Sequence, residues 1–213
     1  MKRFVIGGGG HGKVVVSLLQ ACGLAVDAVL DDAPSRWGET LLGIPVAGPT
    51  ELFLGRDEPR AILAIGGNVR RLSLARRFSR VHWETVVHPR AWVHESVRIG
   101  PGTVVFAGAI LQPGSEIGAH CIVNTGAVAD HDCRIGDGVH LAPGTCLAGG
   151  VTLGKGVFFG VRSAAIPGVS VGDWTIVGAG GVVVRDLPER VVAVGVPARP
   201  LRPLRKDELP EEE

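Results

Sequence analysis

Residues 98–117 read RIGPGTVVFAGAILQPGSEI, and an apolar side chain returns at every sixth position, at Ile99, Val105, Leu111 and Ile117. The period runs without an insertion through sixteen positions, the others being Val93, Val123, Ala129, Ile135, Leu141, Leu147, Leu153, Phe159, Ala165, Val171, Val177 and Val183. So short a repeat indicates very short strands joined by regular corners, with one side chain of each strand filling the interior. We therefore predict a parallel β-helix.

Small residues recur at fixed places within each hexad. Glycine follows many of the periodic residues, as in Ile99-Gly100 and Ile135-Gly136, and a small or β-branched residue usually stands four positions after them. Small side chains let the corners close. The high content of 32 glycines and 14 prolines agrees with an architecture of many tight corners.

The first 85 residues follow a different pattern, in which strands alternate with helices. Strands are predicted over 3–7, 25–30 and 61–65, and helices over 13–22 and 69–79. The loop after the first strand, GGGGHG at 7–12, matches G-x-G-x-x-G, in which backbone amides at a helix start bind phosphate. Only half of a dinucleotide fold fits this length, so we expect an α/β half-Rossmann-like domain that binds a mononucleotide.

Residues at the carboxyl ends of these strands form the predicted substrate-binding set, because open α/β sheets bind ligands there. The set comprises Gly8, Gly9, Gly10, His11, Gly12, Asp31, Asp32, Gly66, Asn68 and Arg71. Structural roles are the alternatives: His11 at the helix start or the interdomain seam, the two aspartates in a turn or cap, and Arg71 on a solvated basic face.

The join at residues 86–103 lacks the composition of a flexible linker, so the small domain is expected to pack rigidly on the first coil. The chain is thus divided into an α/β domain at 1–85, a β-helix at 86–197 and a C-terminal tail at 198–213.

Composition excludes several classes of partner. With 22 basic and 21 acidic residues the formal net charge is +1, which favours neither nucleic acid nor an anionic membrane. Apolar runs are short and the N-terminus turns into glycines too early for a signal peptide, so a cytoplasmic protein is expected. The four cysteines form no C-x-x-C pair and are expected to be reduced.

Residues 129–140, ADHDCRIGDGVH, gather two histidines and three aspartates inside the repeat. His131 does not occupy an inward position of its hexad. A histidine with a pKa near 6.5 can accept a proton at neutral pH, and the adjacent Asp132 can fix its tautomer. Zinc binding by His120, His131 and His140 is the alternative, but their spacing does not resemble that of the gamma-type carbonic anhydrases, β-helix proteins that share a zinc between subunits, and no metal is expected.

The ordered set GGGGHGKVVV, DD, AIGGN, VHPRAWV and hexads containing NTGAVADHDCRIGDGVHLAPG resembles the bacterial sugar O- and N-acyltransferases of the hexapeptide-repeat superfamily. The resemblance covers nearly the whole chain and includes bacillosamine-type N-acetyltransferases and sialic-acid O-acetyltransferases. It implies a left-handed prism of eighteen residues per coil, hence about five coils and a height of about 25 Å. It also implies a homotrimer, acetyl-CoA in the groove between prisms, and a sugar nucleotide bound with help from the small domain.

Carried over to this chain, the resemblance makes His131 the general base, Asp132 its acidic neighbour and His140 a second active-site histidine. Asn124 matches a position just before this segment and is assigned to the acetyl-CoA site. One coil of eighteen residues above His131 stands Gly149, where we expect acetyl-CoA to pass and the backbone N–H to hold the thioester oxygen. His140 lies half a coil from His131, on a different part of the same prism, and could instead meet the His131 of a neighbouring subunit.

The favoured function is acetyl transfer from acetyl-CoA to an amino group of a nucleotide-linked sugar, by direct attack. Three alternatives remain open: O-acetylation of a sialic-acid-like sugar, a zinc-dependent hydratase resembling the gamma-type carbonic anhydrases, and a non-catalytic scaffold that binds nucleotide sugars.

Overall fold

The small domain is a parallel sheet with one helix on each face. The computed structural model describes residues 2–53 and 59–210. The elements are β1 (Arg3–Ile6), α1 (Gly10–Ala21), β2 (Ala28–Leu30), β3 (Thr40–Leu41), β4 (Ile44–Gly48), β5 (Arg60–Leu63), α2 (Asn68–Arg77) and β6 (His82–Trp83), with 3₁₀ turns at Pro34–Arg36 and Thr50–Phe53. The sheet order is β3-β4-β2-β1-β5-β6, parallel except for the β3–β4 hairpin. Apart from Arg3 and Arg60, which begin β1 and β5, the central strands are apolar because α1 and α2 cover opposite faces.

The second part is the predicted β-helix, a prism with three faces. We name the three faces the covered sheet, whose outward side chains lie under the small domain, and the apolar and charged sheets, after the character of their outward side chains. The covered sheet has β7 (Val86–Val87), β10 (Val104–Val105), β13 (Ile122–Val123), β16 (His140–Leu141), β19 (Phe158–Phe159), β22 (Ile176–Val177) and β24 (Val191–Val194). The apolar sheet has β8 (Trp92–Val93), β11 (Ile110–Leu111), β14 (Val128–Ala129), β17 (Cys146–Leu147), β20 (Ala164–Ala165) and β23 (Val182–Val183). The charged sheet has β9 (Arg98–Ile99), β12 (Glu116–Ile117), β15 (Arg134–Ile135), β18 (Thr152–Leu153) and β21 (Ser170–Val171).

From β7 to β20, each strand pairs in parallel with the strand eighteen residues later, as Val104 does with Ile122. Strands β7 to β21 make five coils, and β22 and β23 begin a sixth. The second residue of each strand points inward, and these side chains form one continuous apolar core. The hexad phase of the sequence therefore predicted the interior correctly.

The corners have a uniform backbone. Every sixth residue from Gly102 to Gly180 has a φ between +54° and +74°, the left-handed region, and ten of these fourteen residues are glycine. Glycine adopts this region without the steric cost that a Cβ brings. The four exceptions are His120, Asp132, Arg162 and Trp174.

The small domain is fused to the covered sheet through a shared apolar core. The outward side chains of Val86, Val104 and Ile122 belong to the same cluster as Val15 and Leu19 of α1. Neither helix of this domain, nor any other helix in the described ranges, has the length and apolar character needed to cross a bilayer.

The predicted C-terminal tail needs correction, because most of it is folded. Strand β25 (Arg199–Pro203) pairs antiparallel with β24 and completes the covered sheet. After it Leu204 is buried against Leu72 and Trp174. Apolar residues between the prolines and arginines thus tie this segment to the prism, while residues 211–213 lie outside the described residues.

Candidate active site

His131 and Asp132 occupy the corner between β14 and β15, on the prism edge shared by the apolar and charged sheets. The Nδ1 atom of His131 lies 2.9 Å from Oδ2 of Asp132, and both side chains are exposed, by 62% and 68%. A carboxylate only accepts hydrogen bonds, so this contact favours the tautomer with the proton on Nδ1 and leaves Nε2 as a free acceptor. The backbone N–H of His131 donates to Oδ1 of Asp130 at 2.8 Å, which further fixes the corner.

The hydrogen bond with Asp132 raises the pKa of His131 above its usual value, and the charge of Asp130 acts in the same direction. The shift strengthens the imidazole as a base. The neutral form, which can accept a proton, gains population as the pH rises through this raised pKa.

Gly149 lies directly against the imidazole of His131, one coil above it. A methyl carbon added at Gly149 would stand 2.5 Å from Cε1 of His131 and closer still to Nε2. Among the described residues, no acceptor is recorded for the backbone N–H of Gly149. A donor and a proton acceptor therefore lie side by side on this edge.

His140 lies elsewhere in the chain, at the seam between the covered sheet and the small domain. Its side chain is buried, with Nε2 at 3.2 Å from Nδ2 of Asn124 and Nδ1 at 3.4 Å from the carbonyl oxygen of Gly66. The covered sheet faces away from the edge that carries His131, so one chain does not bring the two histidines together. Asn124 likewise belongs to the seam.

Two aromatic groups complete this seam cluster. The ring of His140 lies 6.3 Å from that of His11 and makes an edge contact with Phe158 at 5.1 Å. Burial lowers the pKa of His140 to about 3 and that of His11 to about 4, and the charge of Arg71 acts in the same sense. Both imidazoles are therefore neutral at pH 7.

A cavity of about 290 Å³ opens at the carboxyl ends of β1, β2 and β5. Its lining includes Gly9, Gly10, His11, Asp31, Asp32 and Gly66 from the predicted set. Helix α1 starts here with Gly9 as its N-cap and no side-chain cap, and a Cβ at Gly9 or Gly10 would meet no atom within 4 Å. Free amides at an open helix start suit a phosphate.

Other members of the predicted set hold the backbone that forms the cavity wall. The Gly8 N–H donates to Oδ2 of Asp31 at 2.6 Å, and a Cβ at Gly12 would overlap the carbonyl oxygen of Gly7. Oδ1 of Asp32 accepts the backbone N–H of Thr50 at 2.9 Å and its hydroxyl at 2.6 Å. Desolvation opposes ionisation of Asp32, but these hydrogen bonds outweigh it and lower its pKa. One carboxylate oxygen of Asp32 thus remains for a ligand or for Arg70, 3.7 Å away.

The expectation that Asn68 and Arg71 bind substrate needs correction. Arg71 is 1% exposed, and its N–H groups donate to protein oxygens. Asn68 is also buried, and its Nδ2 donates to the carbonyl oxygens of Gly156 and Val157. Both side chains join the small domain to the prism because the start of α2 packs against it.

Sequence reasoning missed several residues at these sites. Thr50 and Arg70 line the cavity, and Phe106 and Phe158 contact the seam histidines His11 and His140. Phe158 had a signal, since an aromatic side chain precedes the inward Phe159 at an outward position of the repeat. Thr50 had none, because it follows a loop without a motif.

The three histidines considered for zinc do not form a group within the chain. His120 is buried against Trp83, His140 lies in the seam, and His131 is exposed on another edge. Among the described residues no group of three or more His, Cys, Asp or Glu side chains is arranged to hold a metal ion.

Comparisons with known proteins agree with this architecture. Residues 2–78 match the PglD N-terminal domain family. The structure of PerB from Caulobacter crescentus, in complex with CoA and GDP-perosamine, is 46% identical over 94% of this chain and 97% of that chain, with a TM-score of 0.88. The acetyltransferase domain of PglB from Neisseria gonorrhoeae is 35% identical over 94% and 99%, with a TM-score of 0.87.

Curated sequences match over shorter regions. The UDP-N-acetylbacillosamine N-acetyltransferase of Bacillus subtilis is 43% identical over 108 residues, 48% of this chain and 50% of that protein. A putative acetyltransferase of Schizosaccharomyces pombe is matched over 25% of its length. The chain thus spans about a quarter to a half of the first curated relatives it matches.

Fold and site together define the class, a left-handed hexapeptide-repeat β-helix that carries an N-terminal α/β domain on one face. The chain belongs to the sugar acyltransferase family of the left-handed β-helix proteins.

Proposed function

We propose that this protein transfers the acetyl group of acetyl-CoA to an amino group of a nucleotide-linked sugar. One observation carries the proposal: on an exposed prism edge, Nδ1 of His131 is bonded to Asp132 while Nε2 lies against Gly149, whose N–H has no acceptor in the described part of the chain and can serve an oxyanion. The named relatives support the reaction class, since PerB is described with CoA and GDP-perosamine and the Bacillus subtilis relative is an N-acetyltransferase.

His131 serves as the general base of a direct transfer. The acceptor nitrogen bonds to the thioester carbonyl carbon, the carbon–sulfur bond breaks, and Nε2 takes the proton from the nitrogen. That proton then passes to the departing thiolate, so the imidazole returns to its neutral form. Asp132 stabilises the imidazolium in between, and the Gly149 N–H stabilises the negative charge that develops on the carbonyl oxygen.

The acceptor binds in the small domain and extends along the seam. Its nucleoside and diphosphate occupy the 290 Å³ cavity, where the open start of α1 faces the phosphates and Asp31 and Asp32 accept hydrogen bonds. Gly66 belongs both to the cavity and to the contact with His140, so a sugar attached to the diphosphate reaches the seam cluster of His11, Asn124 and His140.

A homotrimer completes the site by bringing the seam of one subunit to the His131 edge of the next. The apolar sheet supports this assembly, because its outward residues Trp92, Ile110, Val128, Cys146, Ala164 and Val182 are all apolar and Trp92 and Cys146 are exposed. The outward residues of the charged sheet are polar instead, among them Arg98, Glu116 and Arg134. A face left apolar beside a charged one is typical of an interface.

Thiol release from acetyl-CoA, measured against UDP-, dTDP- and GDP-linked amino sugars with sialic acid included, tests the function and identifies the nucleobase. We expect release with a nucleotide amino sugar, and a product heavier by one acetyl group on nitrogen. His131→Ala should lower kcat by about 10²- to 10⁴-fold while acetyl-CoA still binds. The control is His94→Ala, which removes a histidine two coils lower that bonds Ser96.

Other outcomes would favour the alternative functions. Release only with sialic acid indicates O-acetylation, and tight sugar-nucleotide binding without release indicates a scaffold. Stoichiometric zinc in the purified protein together with hydration of CO₂ indicates the hydratase.

A further inference from the structure

Arg71 is a buried cation whose donors are all used by oxygen atoms of the protein. Nε donates to the carbonyl oxygen of His120 at 2.8 Å. Nη1 donates to those of Ile65 at 2.9 Å and Gly66 at 3.1 Å. Nη2 donates to Oδ1 of Asn68 at 2.8 Å and to the carbonyl oxygen of Gly138 at 2.7 Å. A guanidinium has five N–H groups, so none is left for a ligand.

These bonds connect three separate parts of the molecule. Ile65 and Gly66 form the loop after β5 that lines the nucleotide cavity. His120 and Gly138 are successive corners of the prism, on the edge between the charged and covered sheets. Asn68 starts α2 and is itself bonded to the next corner through Gly156. One side chain thus holds the cavity wall and two coils of the prism in a fixed relation.

Stability alone is a poor explanation for this arrangement. No carboxylate is among the recorded hydrogen-bond partners of the guanidinium, and burial lowers the pKa of Arg71 to about 10, which leaves it charged at neutral pH. Burying a charge costs free energy, and apolar side chains of similar volume often replace buried ionic groups without loss of stability. An apolar side chain cannot form the directed hydrogen bonds that join the loop at Gly66 to the prism corners.

We propose that Arg71 is a positioning residue that fixes the loop at Gly66 to the prism, so that a sugar nucleotide held in the cavity delivers its amine to the seam at His140. The inference rests on the proposed function. The link to the site is short, since the Gly66 carbonyl oxygen that accepts from Arg71 is also 3.4 Å from Nδ1 of His140. Arg71 acts through this loop and contacts neither substrate.

The test compares Arg71→Met and Arg71→Lys with Arg80→Met, which removes an exposed arginine just beyond α2. In Arg71→Met we expect kcat to fall by about 10²-fold, because displacement of the reacting groups by about 1 Å has that effect. The KM for acetyl-CoA and the dissociation constants of GDP and UDP should stay within about threefold, since α1, Asp31 and Asp32 are untouched. Arg71→Lys should recover part of kcat, because an ammonium replaces some of the bonds.

Hydrogen exchange of the full chain gives a readout that does not need activity. Amides at 64–68 and 120–122 should exchange at least tenfold faster in Arg71→Met, and at the native rate in Arg80→Met. Unchanged kcat and unchanged exchange in Arg71→Met would overturn the proposal, as would loss of nucleotide binding in parallel with kcat in both Arg71 variants. If the native protein transfers no acetyl group to any acceptor, the proposed function fails. Nucleotide binding and hydrogen exchange would still test whether Arg71 fixes the loop at Gly66 to the prism.

Discussion

Gly149→Ala should disable the base without unfolding the protein. Its methyl carbon would lie 2.5 Å from Cε1 of His131, whereas ordinary contacts begin at 3.4 Å, so the ring must move by about 1 Å. The imidazole is 62% exposed and can swing toward solvent, and the φ of Gly149 is not in the left-handed region, so little strain results. We expect kcat to fall by about 10²-fold, or about 2.7 kcal/mol, and the free energy of unfolding to change by less than about 1 kcal/mol.

Steady-state thiol release and urea unfolding measure the two quantities. The decisive control is the double variant, in which Gly149→Ala is made in the His131→Ala background. If the methyl group acts by displacing the imidazole, it should cost little further activity once the imidazole is gone. An undiminished kcat in the single variant, or an equal loss in both backgrounds, would refute the reasoning.

Three further predictions follow from the same geometry. Asp132→Asn removes the carboxylate whose hydrogen bond, and to a smaller extent whose charge, raises the pKa of His131, so kcat/KM should fall about tenfold or more and the acidic limb of its pH profile should move to lower pH. Val128→Glu places a charge on the apolar sheet and should yield monomers in sedimentation experiments, whereas Thr152→Glu on the charged sheet should not. Burial lowers the pKa values of His11, His120 and His140 to about 4, 4 and 3. The unfolded chain therefore binds more protons below pH 6.5, and the free energy of unfolding should fall by several kcal/mol between pH 6.5 and 4; a flat dependence would contradict the burial.

The β-helix was predictable because its repeat imposes one requirement on every coil. Each inward position must fill the same interior, so the six-residue apolar period predicted the strands from Val93 to Val183. The α/β domain was also predictable in type, although its second strand starts at Ala28 rather than Ala25. The C-terminal segment was not, because β25 is held by antiparallel pairing with β24 and has no periodic pattern of its own.

In the candidate site, too, the residues inside the repeat were predictable and those that depend on packing between the two domains were not. His131 and Gly149 could be paired from sequence, since residues one coil apart are neighbours in a repeat of fixed length. The buried roles of Arg71 and Asn68 could not be predicted from sequence, because they depend on how α2 packs against the prism. Most of the corner residues that these two side chains bond are more than fifty residues away in the chain. An arginine on a basic helix looks the same in sequence whether it faces solvent or a prism.

The corners suggest a way to find such sites in related repeats. Glycine occupies ten of the fourteen left-handed corner positions, and a larger residue there accepts backbone strain of about 1–3 kcal/mol unless its side chain compensates. Asp132 has such a reason in its bond to His131, and His120 and Trp174 have theirs in packing against Trp83 and Leu72 of the small domain. Only Asp132 of these three stands on the edge away from that domain. The fourth exception, Arg162, stands on the edge between the covered and apolar sheets and shows that a larger corner residue alone does not identify a site. A left-handed corner residue whose side chain bonds a histidine able to act as a base is the more specific pointer to catalysis, and in this chain that residue is Asp132.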